Sequence, residues 1–239
     1  MNIAVIFAGG SGSRMNTKSR PKQFLELNGK PIIIYTLELF DNHQQIDGIV
    51  VACLEEWIPF LEKMIRKFEI NKVVKVVKGG ATGQESIYNG LVAAEEYAKG
   101  EDATVLIHDG VRPLITDQTI TDNIKMVEQC GSCITCVPAS ETFVVKRQDG
   151  GLQIPLRKDS MIARAPQSFR LCEILNSHRK AIVEGKTDFI DSCTMMSHYG
   201  YSLGTVEGPV ENIKITTPTD YFIFRAMVQV HENQQIFGY

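Results

Sequence analysis

Residues 7–24 read FAGGSGSRMNTKSRPKQF. Here Ala8, Gly9, Gly10, Ser11, Gly12 and Ser13 directly follow a short apolar run, and Arg14, Lys18, Arg20 and Lys22 come after them. Glycines let backbone N–H groups close around an anion, and serines add hydroxyl donors. Cations beside such a ring complete a polyphosphate cradle; the alternative is a solvent loop whose basic residues are simply hydrated. The loop is not a Walker A motif, because no Gly-Lys-Ser/Thr follows at the needed distance. Nor is it the dinucleotide fingerprint G-x-G-x-x-G, since Met15 stands in the third glycine's place.

Two further stretches carry charge where chemistry could use it. His108-Asp109-Gly110-Val111-Arg112-Pro113 follows an apolar run. A carboxylate there can accept ribose hydroxyls or hold a metal beside phosphates; Asp109 and Arg112 could equally form an ion pair that shapes a turn. Near the C-terminus, Lys214 sits inside Asn212-Ile213-Lys214-Ile215. It reads either as the outward residue of an alternating strand or as another cation aimed at the phosphates. His108 reads as structural, because no serine or cysteine nucleophile motif accompanies it. Cys130, Cys133 and Cys136 have C-x2-C-x2-C spacing, but Ser140 stands where a fourth cysteine would complete an iron–sulfur run. They read as small apolar residues at a helix end and in a strand.

These residues must be positioned by what lies between them. Apolar runs at Ile3–Phe7, Gly48–Ala52, Val73–Val77, Thr104–Ile107 and Ile134–Val137 alternate with helical patterns at Pro31–Phe40, Trp57–Phe68, Gln84–Tyr97 and Thr119–Glu128. Strands apolar throughout, alternating with amphipathic helices, imply a mostly parallel α/β sheet covered on both faces. Ligands then bind at the carboxyl ends of the strands. The glycine loop, Gly79-Gly80 and His108-Asp109 all fall there. Residues 140–160 break the pattern: two short strands around Asp149-Gly150-Gly151 form a projecting β-hairpin arm that needs a partner to bury against. Helices near Cys172–Glu184 and Ser192–His198 follow. Strands near Tyr201–Val206 and Asn212–Ile215 and a last helix at Thr219–Val230 complete a single domain, 1–239. A net charge of -3 gives no basic surface for nucleic acid. The apolar start is too short to span a membrane and lacks a basic n-region, so the expected location is the cytoplasm.

Taken in order, F-A-G-G-S-G-S-R-M, P-K-Q-F, G-G, H-D-G-V-R-P, A-P-Q-S-F and E-N-I-K-I-T resemble the cytidylyltransferases that make CDP-activated polyols, from about Ile3 to Val230. One branch uses 2-C-methyl-D-erythritol 4-phosphate in isoprenoid synthesis; the other uses D-ribitol 5-phosphate for teichoic acids and capsules. The resemblance implies a Rossmann-like nucleotidyltransferase fold, with the arm building a homodimer. The implied reaction takes CTP and a polyol phosphate, with Mg²⁺, to CDP-polyol and pyrophosphate. By resemblance, the loop from Ala8 to Arg14 holds the triphosphate, and Arg14, Lys22 and Lys214 neutralise charge at the α-phosphate. Gly79, Gly80 and Ser86 read the cytosine, and Asp109 contacts the ribose or the metal. Arg112 serves the acceptor side, and Thr142 and Arg157 hold the acceptor phosphate in the neighbouring subunit.

The chain departs from the family pattern at three positions. Gly83 replaces a usual arginine after the glycine pair, which leaves UTP or GTP as alternatives at the base site. Ala165 and Ile190 replace two threonines of the acceptor side in the methylerythritol branch. Their loss favours ribitol 5-phosphate as acceptor over methylerythritol phosphate. A non-catalytic nucleotide-binding partner is the alternative from outside enzymology. Retained Arg14, Lys22, Asp109, Arg157 and Lys214 speak against it.

Overall fold

The structure, a computed structural model, describes residues 1–10 and 20–237. Strand β1 (Asn2–Ala8) leads to the small antiparallel pair β2 (Glu26–Leu27) and β3 (Lys30–Pro31), then to helix α1 (Ile32–Asn42). Next come β4 (Gly48–Cys53), α2 (Ile58–Lys67), β5 (Val73–Lys78), α3 (Gly83–Ala98), β6 (Thr104–Asp109), α4 (Asp117–Cys130) and β7 (Ser132–Pro138). The arm carries β8 (Val145–Lys146) and β9 (Leu152–Gln153). After it follow β10 (Met161–Arg170), α5 (Leu171–Val183), α6 (Ser192–His198), β11 (Gly204–Glu207) and α7 (Pro218–Phe237).

Seven strands form one sheet in the order β11-β7-β10-β6-β1-β4-β5. All neighbours are parallel except β10, which runs antiparallel to both β6 and β7. The period-2 rule is visible in β1. Ile3 and Val5 face one core with α3, α5 and α6, while Ala4 and Ile6 face the other with α1, α2 and α4. Both faces are buried, so the run carries no polar alternation. The chain builds outward from β1 through β4 to β5, then returns to β6 on β1's other side. That reversal opens a crevice at the carboxyl ends of β1 and β6, where Gly9 and Asp109 stand.

Most expected elements are present with shifted ends. Thr82 starts α3 as its cap: its hydroxyl accepts from Glu85 N at 3.1 Å, and Glu85 Oε2 accepts from Ala81 N at 2.7 Å. Two readings need correction. Asn212–Ile215 is not a strand; Ile215 N donates to Val111 O at 3.0 Å, and Asn212 Nδ2 to Ala165 O at 2.6 Å. Met161–Arg170, for which the sequence gives no strand signal, is the longest strand of the sheet. Pro166 argues against a central strand, but it falls within the irregularity between Ala163 and Gln167, where the pairing with β7 shifts register. The arm forms as expected, and Val144, Val145, Leu152, Ile154 and Leu156 on it are exposed. Among the described residues no helix is long and apolar enough to cross a membrane.

Candidate active site

The site grows from close backbone approach. A Cβ added to Gly9 would lie 2.7 Å from Ser86 Oγ, and one on Gly80 would lie 2.2 Å from Glu85 Cγ. Any side chain at either place requires that neighbour to shift, so glycine suits both. The Ser86 hydroxyl donates to Thr82 O at 2.9 Å and accepts from Gly80 N at 3.0 Å. It therefore fastens the β5–α3 loop against Gly9, and a nucleotide would meet mainly the shape that it sets.

Lys22, Gln23 and Phe24 form one 3-10 turn. Gln23 Nε2 donates to Ala8 O at 2.7 Å, tying this turn to the end of β1. Phe24 is fully buried, stacked on Trp57 at 4.8 Å and edge-on to Phe60 at 5.4 Å. Truncating such an aromatic costs about 3–5 kcal/mol. That anchor sets Lys22 in the wall of a cleft of about 550 Å³, with Ala8, Gly9, Gly10, Gly80, Thr82, Gly83, Ser86, Asp109 and Lys214. Gly79 stands at the loop's start, its N–H on Cys53 O at 2.7 Å. Ser11, Gly12, Ser13 and Arg14 lie outside the described residues.

Asp109 is the electrostatic centre. Its Oδ2 accepts from Arg112 Nε at 2.8 Å, and its Oδ1 pairs with Lys214 Nζ at 2.5 Å. Burial alone would raise its carboxyl. Lys214 and Arg112 outweigh that effect and hold it at about 2, so the group is ionised at any working pH. Arg112 also donates to Asn212 O at 2.8 Å. This bond fastens the segment carrying Lys214 to the end of β6. Lys214 thus points inward, as the phosphate reading requires, and not outward as in a strand. With both carboxylate oxygens already facing cations, Asp109 is one engaged ligand. No cluster of three His, Cys, Asp or Glu residues suited to a metal occurs among the described residues.

A second cavity of about 250 Å³ adjoins the cleft. Phe7, Gly83, Asp109 and Lys214 line both. The second adds Arg112, Arg164, Ala165 and Gln167 from the β6 and β10 side, and His178, Ile190, Asp191 and Ser192 from the α5–α6 side. Gln84 holds the rim: its Nε2 donates to Lys186 O at 2.9 Å, and its Oε1 accepts from Phe189 N at 3.0 Å. Gln167 Oε1 accepts from Cys193 N at 3.0 Å.

The sequence-derived residues separate cleanly. Gly9, Gly10, Lys22, Gly80, Ser86, Asp109, Arg112 and Lys214 converge on the two connected spaces. Thr142 and Arg157 do not; both are exposed on the arm and line neither space. Gly83, Ala165 and Ile190, the three departures, all line the smaller cavity. His108 is structural: its Nε2 lies 3.0 Å from Arg112 O, its ring packs edge-on to Phe40, and burial pushes it down to about 4. Cys133 and Cys136 are buried and Cys130 is exposed, with the Cys133 thiol on Asn123 Oδ1 at 3.1 Å. Gln23, Gln84, Arg164, Gln167, His178 and Ser192 went unread. Gln23 and Gln167 do sit inside P-K-Q-F and A-P-Q-S-F, but the others belong to no motif.

Residues 2–230 match the family described as "IspD: 2-C-methyl-D-erythritol 4-phosphate cytidylyltransferase". A ribitol-5-phosphate cytidylyltransferase of Streptococcus agalactiae is 52% identical over 239 residues, covering all of both chains. A 2-C-methyl-D-erythritol 4-phosphate cytidylyltransferase of Clostridium botulinum is 39% identical over 223 residues, 93% of this chain and 95% of that one. Among solved structures, the 4-diphosphocytidyl-2C-methyl-D-erythritol synthase of Anaerococcus prevotii superposes with a TM-score of 0.81 at 24% identity, over 95% of this chain and 96% of that one. That likeness supports the fold alone. With its glycine cleft, its cations and its mostly parallel sheet, the chain belongs to the IspD family of cytidylyltransferases.

Proposed function

We propose that this protein transfers the cytidylyl group of CTP to D-ribitol 5-phosphate, giving CDP-ribitol and pyrophosphate. The observation that carries the acceptor choice is full-length identity of 52% to a ribitol-5-phosphate cytidylyltransferase, with Ala165 and Ile190 both in the cavity beside the nucleotide cleft. The triphosphate occupies the cleft and the polyol phosphate the cavity. An acceptor phosphate oxygen attacks the α-phosphorus; that P–O bond forms as the bond to the pyrophosphate oxygen breaks. A phosphate monoester is largely dianionic near neutral pH, so no general base is needed. What the reaction needs is position and neutralised charge. Lys214 stands on the wall shared by both spaces, and Lys22 enters from the cleft side. Asp109 and Arg112 fix Lys214 in place.

Magnesium enters as the companion of CTP. It keeps waters and binds phosphates with one or two carboxylates; Asp109 is the carboxylate at hand, and the bound ion would neutralise phosphate charge. A homodimer accounts for the exposed apolar arm, with Thr142 and Arg157 serving the partner's acceptor site. The proposed setting is cytoplasmic supply of CDP-ribitol for a surface polymer such as teichoic acid or capsule.

Pyrophosphate release from CTP with ribitol 5-phosphate and methylerythritol 4-phosphate, side by side, tests the acceptor. A preference for methylerythritol phosphate overturns it. Mixing inactive Arg157→Ala and Lys22→Ala chains tests the shared site. Activity returns if Arg157 acts across subunits, because each mixed dimer then holds one intact site. No recovery removes Arg157 from the partner's pocket.

A further inference from the structure

Two residues that line the smaller cavity carry buried polar atoms with no hydrogen-bond partner among the described residues. His178, on α5, is 1% exposed, and neither Nδ1 nor Nε2 has a hydrogen-bond partner among the described residues. Ser192, at the start of α6, is 3% exposed, and its Oγ is unpartnered in the same sense. Both line this cavity and neither lines the nucleotide cleft. Around them the wall includes Ile87, Ile107 and Met195. Buried polar atoms without partners are uncommon, and each costs stability. Three such atoms, on two residues of one cavity wall, call for a ligand.

The neighbouring polar groups are already committed. Gln84 holds Lys186 O and Phe189 N, Gln167 holds Cys193 N, and Asp191 Oδ1 accepts from Thr194 N. Asp109 is held by Arg112 and Lys214. Arg164 Nε also has no hydrogen-bond partner among the described residues, but a guanidinium only donates. Burial and the charge of Arg112 both press its pKa down, which groups it with the cations that suit a phosphate. His178 and Ser192 are of another kind. Burial holds the imidazole at about 4, so it is neutral, with one ring nitrogen donating and the other accepting. A serine hydroxyl also does both. Their complement is another hydroxyl, which gives and takes in the same way.

We propose that His178 and Ser192 hydrogen-bond hydroxyls of the acceptor's polyol chain and thereby select the polyol phosphate. This rests on the cytidylyl-transfer reading above. Ribitol carries a hydroxyl on every carbon that does not bear the phosphate. Methylerythritol has a shorter chain and a methyl branch, which cannot satisfy a buried ring nitrogen. Selection by such a site is strong, because the wrong acceptor leaves the protein's own polar atoms stranded.

The test is steady-state kinetics of the full chain with ribitol 5-phosphate, its single-deoxy analogues and methylerythritol 4-phosphate, CTP being varied separately. His178→Leu should lower kcat/KM for ribitol 5-phosphate by about ten- to a hundredfold. The KM for CTP should stay within about twofold. The deficit should vanish for the analogue lacking the hydroxyl that is read. The same variant should melt at a higher temperature, since leucine removes two stranded nitrogens; a histidine kept only for packing would give the reverse. Ser192→Ala should show the same pattern against a different analogue, and it decides the matter if His178→Leu does not fold. Equal deficits across all analogues, or a parallel rise in the KM for CTP, overturn the proposal. If the wild type prefers methylerythritol phosphate, the assigned acceptor falls. The pair is then judged on deoxy analogues of that compound, an unchanged kcat/KM in both variants overturning it. No turnover with either acceptor removes the transfer reading, and this proposal with it.

Discussion

The cleft proposed for the nucleotide and the cavity proposed for the acceptor share a wall but are built by different means. The cleft is made of strand ends and the loops that follow them: Ala8-Gly9-Gly10, Gly80 to Gly83, and Asp109. Its specification is backbone approach, which glycine suits, and charge. The cavity is made of side chains from α3, β10, α5 and α6, set far apart in sequence. One space is fixed in form by sterics that few residues satisfy; the other can change its chemistry one side chain at a time. A fold of this kind can keep its nucleotide and exchange its acceptor.

The largest test of that division is Lys22→Ala. The lysine sits on an anchored turn, so its loss should leave the melting temperature within about 2 °C while kcat falls by about 10²–10³-fold, the scale of one preorganised electrostatic contact. It should fall equally for every acceptor, because Lys22 lines only the cleft. An acceptor-dependent loss would erase the boundary between the two spaces.

The next test is stability against pH. Burial lowers both His108 and His178 from 6.5 to about 4. Between those values the unfolded chain binds protons that the folded chain refuses. Stability is therefore fully present above pH 6.5 and is lost as pH falls through 4. The loss is at most about 3 kcal/mol per histidine. Asp109, held at about 2 against 3.8, adds a further loss only below pH 4. Urea melts from pH 7 to pH 4 should show this slope, and His178→Leu should remove about half of it. An unchanged slope in that variant would mean that His178 is not held neutral in the folded state.

What the sequence made readable follows the same division. β1, β4, β5 and β6 announce themselves as unbroken apolar runs, and the loops after β1, β5 and β6 carry the glycines and charges that a phosphate site requires. H-D-G-V-R-P offers the pairing of Asp109 with Arg112, but Lys214 reads in two directions and joins that site only through the family resemblance; its contact with Asp109 is a finding of the structure. The cavity was harder to read. His178 lies on the face of an amphipathic helix and looks like any core residue; only the fold shows that it borders a space and has no hydrogen-bond partner among the described residues. β10 was hidden for a local reason: Pro166 and Gln167 disguise a strand whose irregular middle lets the chain turn Ala165 toward the cavity. The role of Gln84 depends on Lys186 and Phe189, about a hundred residues away, and no local pattern encodes that.

A smaller effect probes the cleft's geometry. Gly9→Ala would drive a methyl to 2.7 Å from Ser86 Oγ. The hydroxyl can turn away only by leaving Gly80 N and Thr82 O. The KM for CTP should rise by about tenfold, with the acceptor KM little changed. Ser86→Ala removes the colliding oxygen, so the double variant should recover part of the loss. If the double variant is as poor as the product of the two singles, the contact between Gly9 and Ser86 is not what limits binding.

The gentlest change asks whether the cavity alone chooses the acceptor. Ala165→Thr with Ile190→Thr would place two hydroxyls where the chain now has apolar side chains, while leaving Asp109, Arg112 and Lys214 untouched. Ile190 is 89% exposed, so its replacement buries nothing new; Ala165 is 6% exposed and has room only where the cavity opens beside it. Each hydroxyl can contribute about one hydrogen bond, so the ratio of kcat/KM for methylerythritol 4-phosphate to that for ribitol 5-phosphate should rise by about three- to tenfold. The absolute rate with ribitol 5-phosphate should fall less than that, because His178 and Ser192 remain. A shifted ratio with an unchanged KM for CTP would establish that acceptor choice can be altered without altering CTP binding. A ratio that does not move would place acceptor choice elsewhere. Thr142 and Arg157 on the exposed arm would then be the residues to exchange next, since the proposed dimer would bring them to the partner's acceptor site.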